Sequence, residues 1–217
     1  MRDQDIHRVV ALLRREQRRF KQPAVTREAR SRDPFRVLVS CLISLRTKDQ
    51  VTGEAAARLF ALADNPAAMA ALPEPRIQRA IYPAGFYRVK ACTIREMSRI
   101  LVERHGGRVP DELDALLELP GVGRKTANLV VTVAYGRPGI CVDTHVHRVL
   151  NRLGYVATPD PAHTESALRE KLPPRYWIQI NDLLVTYGQH VCTPVSPFCS
   201  SCALAEFCDR RGVGASR

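Results

Sequence analysis

The chain has 217 residues, of which 45% are apolar, and its 33 basic residues outnumber 22 acidic ones to give a formal net charge of +11. That apolar fraction can bury a sizeable core, so an intrinsically disordered chain is not the expected class. The positive charge favours a polyanionic partner such as nucleic acid, although a soluble protein of arginine-rich composition would carry the same charge.

The N-terminal residues MRDQDIHRVV contain acidic side chains and no uncharged apolar run, so a secretory signal peptide is not expected. No apolar stretch approaches the roughly 20 residues that span a bilayer. We therefore expect a cytoplasmic or nucleoid-associated protein without membrane contacts.

Two segments have the apolar stripe of an amphipathic helix. In residues 5–20 the stripe faces away from a series of arginines and consists of Ile6, Val9, Val10 and Leu13. In residues 87–105 it ends at the pair Gly106-Gly107, a helix stop signal. The apolar positions of this second segment are Val89, Ile94, Met97, Ile100 and Leu101.

Capping side chains mark further helix starts. Asp33 and Asn65 each precede a proline, which suits the first helical position. Asp49 and Asp111 can cap the runs that follow them, and Asp49 can also support proton transfer. The short apolar runs 37–45 and 129–134 could be strands by themselves, but helical neighbours favour buried helices. Other helices are predicted at 125–135, 144–153, 161–172 and 175–187. The predicted fold class is all-α.

Residues 119–127, LPGVGRKTA, lie between two predicted helices. Pro120 ends the first helix, and two glycines permit a tight turn with bare backbone. Unpaired N–H groups at the start of the second helix can hold a DNA phosphate without reading the base sequence. An ordinary tight helix–helix turn would have the same pattern, so both interpretations stand. The candidate DNA-binding residues of this turn are Gly121, Val122, Gly123 and Arg124.

Lys125 lies in the first turn of the second helix, in a chain with five lysines and 28 arginines. Unlike arginine, lysine can lose its proton and become an amine nucleophile. The positive end of the helix dipole favours the free amine at this position. A free amine beside DNA can attack a sugar carbon, whereas a lysine that only binds phosphate would need the same position.

Asp143 follows a segment that contains Gly136, Pro138 and Gly139, and it stands where it can cap the next helix. Capping keeps a carboxylate ionised. An ionised carboxylate near a lysine amine can accept protons and stabilise positive charge on a sugar ring. A plain helix N-cap is the simpler interpretation of Asp143 taken alone.

Four of the seven cysteines have the spacing C-x6-C-x2-C-x5-C: Cys192, Cys199, Cys202 and Cys208. In a reducing compartment this group indicates a metal site rather than disulfides. Structural zinc more often uses two close pairs, whereas four thiolates in a short loop suit a cubane iron–sulfur cluster, so the spacing leaves both metals open. The remaining cysteines are predicted to be buried free thiols: Cys41, Cys92 and Cys141.

Together, residues 119–127 and 136–143 resemble the helix–hairpin–helix and Gly/Pro-Asp signature of the base-excision DNA glycosylases. In the form LPGVGRKTAN followed by VDTHVHR they are similar to the endonuclease III family in particular. The similarity extends from about Phe35 to Cys208, which is most of the chain.

This resemblance implies a helical fold of two lobes with a cleft between them, formed by residues 27–136 and by residues 1–26 with 137–217. Lys125 and Asp143 would face each other across the cleft. The expected enzyme is a monomeric, bifunctional DNA glycosylase/AP lyase acting on double-stranded DNA with damaged pyrimidines or abasic sites. It would remove oxidised pyrimidines through a Schiff base on Lys125, which Asp143 assists, and cut the strand 3′ to the abasic site.

The resemblance also implies a [4Fe-4S] cluster. Its ligands would be the four closely spaced cysteines, which would pin the loop 192–208, with the basic residues that neighbour it, against DNA. No diffusible cofactor or catalytic metal is expected.

Enzymes of this type rotate a nucleotide out of the duplex and fill the gap. The loops 44–49 and 84–88 can supply the plug. Arg46 stands where similar family members usually carry glutamine, and this departure leaves lesion preference and efficiency open. Phe86 is either a wedge between bases or a core aromatic. His145 and His147 follow Asp143, but nothing in the sequence indicates that they reach DNA.

Two other functions share part of this pattern. An adenine-mismatch monofunctional glycosylase would have the hairpin, the aspartate and the cluster. Such enzymes generally lack the hairpin lysine and carry a further C-terminal domain, whereas this chain stops shortly after Cys208. A non-catalytic DNA-binding module would bind DNA in a salt-sensitive manner and cleave nothing.

Overall fold

A computed structural model describes residues 1–29, 31 and 33–217. In this part of the chain every regular element is helical, with twelve α-helices joined by short loops, and the predicted all-α class is confirmed. The chain divides into two compact units, residues 24–137 and residues 1–23 with 138–217. The family resemblance gave 27 and 136 for the same division.

The central unit packs its helices around one apolar core. Helix α3 is buried along most of its length, which explains why its sequence is a continuous apolar run rather than a stripe. The helices of this unit are α2 (Ala24–Ala29), α3 (Pro34–Ser44), α4 (Asp49–Phe60), α5 (Pro66–Ala71), α6 (Glu74–Ile81), α7 (Tyr87–His105), α8 (Leu113–Leu117) and α9 (Arg124–Leu129), which continues as a π-helical segment (Val130–Ala134).

Two predicted caps are confirmed. The Asp33 carboxylate accepts the N–H of Phe35 at 2.9 Å, and the Asn65 side chain accepts the N–H of Ala68 at 2.9 Å. In both helices the proline occupies the first turn, where its missing N–H costs nothing.

The other two predicted caps are wrong. Asp49 is the first residue of α4, and its carboxylate accepts the N–H of Ala24 at 2.7 Å, so it holds the start of α2 instead. Asp111 forms an ion pair with Arg137, and α8 begins after Glu112. In both cases the carboxylate binds a partner that is distant in the sequence instead of the start of the helix that follows it.

Helix α7 has the predicted bounds, and Gly106 ends it with φ of +59°. Its buried face follows Lys90, Ile94, Met97 and Leu101 at helical spacing. Val89 and Cys92 lie off this face and are exposed, so their predicted burial is wrong, and Lys90 is buried in their place.

The second unit combines the N-terminal helix with the C-terminal third of the chain. Helices α1 (Ile6–Gln17) and α10 (Thr144–Leu153) both pack against α12 (Trp177–His190), and α11 (Pro161–Lys171) packs against α10. Single 3-10 turns lie at Asp3–Asp5, Pro174–Tyr176 and Ala205–Phe207. The predicted stripe of α1 is confirmed, since none of its four apolar side chains is more than 1% exposed. No helix in the described ranges has the length and apolar character needed to cross a bilayer.

Candidate nucleic-acid interface and cysteine loop

The turn between α8 and α9 has a backbone that requires glycine. Gly121 has φ of +75°, and a Cβ added there would lie 2.6 Å from Thr93 Cγ2 of α7. Gly123 is the N-cap of α9 and is exposed, with no heavy atom within 4 Å of an added Cβ. The Val122 side chain is buried and fastens the turn to the core. The turn is therefore anchored on one side and presents bare backbone on the other.

Lys125 lies in the first turn of α9, and its side chain, like that of Arg124, is exposed. It acts electrostatically on the buried thiol of Cys41 in α3. Burial raises the pKa of Cys41 to about 12, and the positive charge of Lys125 opposes this rise. The lysine is thus next to a neutral thiol at the edge of the core.

Asp143 is the N-cap of α10. Its Oδ1 accepts the N–H groups of His145 and Val146, both at 2.9 Å, and the residue is 8% exposed. The capping interpretation is confirmed, and it fixes the carboxylate to the helix start. His147 shares a hydrogen bond of 2.7 Å with Thr164 Oγ1, so one of its ring nitrogens is occupied by the fold.

The two candidate plug loops pack against each other within the central unit. The Arg46 guanidinium carbon lies 5.5 Å from the centroid of the Phe86 ring, which is a cation–π contact. Phe86 is 61% exposed, so its core interpretation is wrong. Thr47 Oγ1 accepts the N–H of Gly85 at 3.1 Å and links the two loops. The structure therefore brings together two candidates that lie 40 residues apart in the sequence.

Lys90 is the residue of this region that the sequence analysis missed. It lies in α7 and is 7% exposed. Its Nζ donates to the carbonyl oxygens of Ile43, at 2.6 Å, and Leu45, and to Thr47 Oγ1 at 2.9 Å. Burial lowers the pKa of Lys90 to about 8. A lysine at a core position of an apolar stripe is the one sequence signal that could have identified it.

A groove of about 380 Å³ lies between the plug loops and the hairpin turn. Its exposed apolar side chains are Leu45, Phe86 and Val89; Arg46 contributes an exposed cationic group, and the buried Lys90 also lines it. An apolar surface edged by positive charge suits the flat bases and the phosphates of nucleic acid.

The four clustered cysteines are half-buried in the loop that follows α12. Burial raises the pKa of Cys202 and Cys208. Polar groups contact three of the sulfurs, the closest being the Tyr187 hydroxyl, 3.0 Å from Cys202 Sγ. The guanidinium of Arg152 lies 3.5 Å from Cys192 Sγ, and the N–H of Arg210 lies 3.4 Å from Cys208 Sγ.

Four neighbouring thiols, two of them with N–H donors directed at their sulfurs, match an iron–sulfur ligand set, since such bonds stabilise cluster thiolates. Within the described residues, no three His, Cys, Asp or Glu side chains are arranged as ligands of one metal ion. The fit to a cluster is therefore argued from the donor set and its hydrogen bonds.

Residues 39–174 match the HhH-GPD superfamily of base excision DNA repair proteins. The endonuclease III of Thermotoga maritima is 47% identical over 194 residues, covering 88% of this chain and 91% of its own length. A non-covalent endonuclease III–DNA complex aligns with a TM-score of 0.86 at 32% identity, covering 97% of this chain and 96% of that one. A trapped endonuclease III–DNA covalent intermediate, an estranged-adenine complex, aligns at 0.77 and 36% identity, covering 82% and 84%. The family match includes both Lys125 and Asp143.

Proposed function

The chain belongs to the endonuclease III family of the HhH-GPD superfamily, the DNA glycosylase/AP lyases of base excision repair, and we propose that its substrates are oxidised pyrimidines in double-stranded DNA. The lyase chemistry rests on Lys125, which is exposed in the first turn of α9 directly after a turn of bare glycine backbone. The choice of oxidised pyrimidines as substrates rests on the similarity to the endonuclease III family. The adenine-mismatch alternative is not favoured, because the relatives are endonucleases III.

The proposed reaction has two stages. Lys125 Nζ attacks C1′ of the damaged nucleotide, the bond from C1′ to the base breaks, and the departing base takes up a proton. Opening of the sugar ring leaves a Schiff base on Lys125. Loss of a proton from C2′ then breaks the bond from C3′ to its oxygen, which cuts the strand on the 3′ side, and water releases the lysine. The Asp143 carboxylate stabilises positive charge on the sugar and accepts protons in these steps.

DNA binding would combine a phosphate site and a plug. The exposed backbone from Gly121 to Gly123, with Arg124 beside it, would hold a phosphate without reading sequence. Arg46 and Phe86 would fill the gap that the extruded nucleotide leaves. Their existing cation–π contact supports this role, because the pair already forms a flat, partly apolar unit.

A [4Fe-4S] cluster, a cofactor known in the endonuclease III family, is proposed for the four clustered cysteines. When bound, it would supply a rigid cross-link within the loop 192–208. We expect brown protein with about four irons per chain. Cys202→Ser should lower the iron content, whereas Cys92→Ser, which changes an exposed thiol elsewhere, should not. Colourless protein containing zinc would contradict the assignment.

Borohydride trapping tests the lysine chemistry directly. We expect a covalent complex between the native protein and a duplex that carries an oxidised pyrimidine. Lys125→Ala should abolish it, and Lys21→Ala, which changes an exposed lysine outside the hairpin, should leave it unchanged.

Free-base release separates the remaining outcomes. Release of the base without trapping would indicate a monofunctional glycosylase. Binding without release or trapping would indicate a DNA-binding module and would contradict the proposed function.

A further inference from the structure

The C-terminal end of α3 is held by a side chain from another helix. The last carbonyls of a helix lack partners within it, and they form the negative end of the helix dipole. Here the Lys90 ammonium of α7 donates hydrogen bonds to the carbonyl oxygens of Ile43 and Leu45, and it donates a third to Thr47 Oγ1. An ammonium has three donors, so each of them has an acceptor within the segment 43–47.

The same hydroxyl joins this segment to the second loop. Thr47 Oγ1 also accepts the N–H of Gly85. A Cβ added at Gly85 would lie 2.4 Å from the carbonyl oxygen of Arg46, so the two backbones touch at a position that only glycine can occupy. Lys90 therefore organises both loops, the first directly and the second through Thr47.

Both plug residues have a backbone conformation that needs support. Arg46 has φ of +50° and Phe86 has φ of +57°. Residues other than glycine have a strained backbone in this left-handed region, and they keep this conformation only where surrounding contacts fix them. Lys90 bonds the residues on either side of Arg46 and lies one helical turn after Phe86.

We propose that Lys90 is a positioning residue that holds the two loops so that Arg46 and Phe86 meet DNA as one preformed plug. The inference rests on the proposed function. Lys90 acts through the loops and has no part in bond breaking. Its loss should therefore slow the extrusion of a paired base and leave the chemistry at an already extruded base unchanged.

Single-turnover excision on two substrates tests this inference. The first is a duplex with an oxidised pyrimidine paired to a purine, and the second places the same lesion in a short unpaired bubble. We expect Lys90→Met to slow excision from the paired substrate about tenfold or more, because a displaced plug no longer offsets the energy of unpairing and unstacking the nucleotide. On the bubble, where little unpairing energy is needed, the loss should shrink to about twofold. Lys21→Met is the control for the lost charge and should match the native rate on both substrates.

Thr47→Val removes the hydroxyl that bridges the loops and should show the same preference for the bubble, which keeps the test valid if Lys90→Met does not fold. An equal loss on both substrates would reduce Lys90 to a general structural role and overturn the inference. Native rates for both folded variants on the paired lesion would overturn it as well. Failure of the native protein to excise either lesion would instead contradict the proposed function.

Discussion

Lys90 and Asp143 are charged residues that are only 7% and 8% exposed, and backbone groups at helix ends hold both. The Lys90 ammonium meets carbonyls at the C-terminal end of α3, and the Asp143 carboxylate meets N–H groups at the start of α10. Each charge has the sign that the helix dipole favours. Burial of a charge is costly unless hydrogen bonds replace water, so these bonds also fix where each charge lies.

Substitutions at Asp143 separate capping from chemistry. Asp143→Asn retains an oxygen that can cap α10 but removes the negative charge. We expect thermal unfolding close to that of the native protein and a single-turnover excision rate lower by about 10²–10⁴-fold. Asp143→Ala also removes the cap and should cost about 1 kcal/mol of stability in addition. Native excision by Asp143→Asn would restrict the carboxylate to its capping role.

The buried ammonium of Lys90 predicts a pH dependence of stability. Burial lowers its pKa to about 8 from 10.5. Between these values the unfolded chain binds more protons than the folded one, so the free energy of unfolding should rise with pH in this window. Below about pH 8 both states are protonated, and the contribution is constant. Urea unfolding of the native protein and Lys90→Met at pH 7, 9 and 10 measures the difference. If the free energy of unfolding of the native protein instead fell relative to that of Lys90→Met as pH rises, this result would contradict the lowered pKa.

At the scale of elements, α7 supports every candidate DNA-binding feature of the central unit. Phe86 is its N-cap, Lys90 holds the loop after α3, and Thr93 packs against Gly121 of the hairpin turn. Helix α7 therefore links the candidate plug to the candidate phosphate-binding turn.

The hairpin glycines should respond differently to alanine. Gly121→Ala adds a Cβ at positive φ that would lie 2.6 Å from Thr93, and we expect a loss of about 1–3 kcal/mol. Gly123→Ala has negative φ and open space, so its main stability cost is a weaker cap of about 1 kcal/mol or less. Its methyl group would nevertheless cover the backbone that is proposed to hold a phosphate. Thermal unfolding and duplex affinity of both variants test these expectations. An unfolding temperature of Gly121→Ala equal to that of the native protein would contradict the predicted loss of stability.

Elements with local signals could be predicted from the sequence. The bounds of α7 and α10, and the caps Asp33 and Asn65, depend on residues within a few positions of each other. The misassigned cap Asp49 instead binds Ala24, 25 positions away. Local pattern carries no information about such a partner.

The candidate site divides in the same way. Lys125 and the capping role of Asp143 follow from short motifs. The burial of Lys90 depends on acceptors more than 40 residues away, and the Arg46–Phe86 contact depends on how two loops pack. Helical spacing indicates which face of α7 is buried. A lysine on that face would nevertheless be predicted to extend into solvent, because the acceptors that allow its burial cannot be identified from the sequence.

At the scale of the whole molecule, the net charge of +11 predicts strongly salt-dependent DNA binding. For about six to ten phosphate contacts, affinity for undamaged duplex should fall about 10³–10⁵-fold between 50 and 200 mM salt. Arg124→Gln should reduce the slope of log affinity against log salt by about one. A slope near zero, measured by titration at several salt concentrations, would contradict an electrostatic mode of binding.

The interleaved order of the two units has a consequence for synthesis on the ribosome. Helix α1 carries a buried apolar stripe, yet its partner α12 begins at Trp177, 160 residues after α1 ends at Gln17. The central unit is continuous in sequence, so it can fold before α12, the packing partner of α1, has been synthesised. A nascent chain released near residue 140 would already possess the hairpin, Lys125 and the plug loops, but neither Asp143 nor any of the four clustered cysteines. On the roles proposed above, such a fragment is expected to bind DNA without excising a base, so translation of the final third would complete the proposed site.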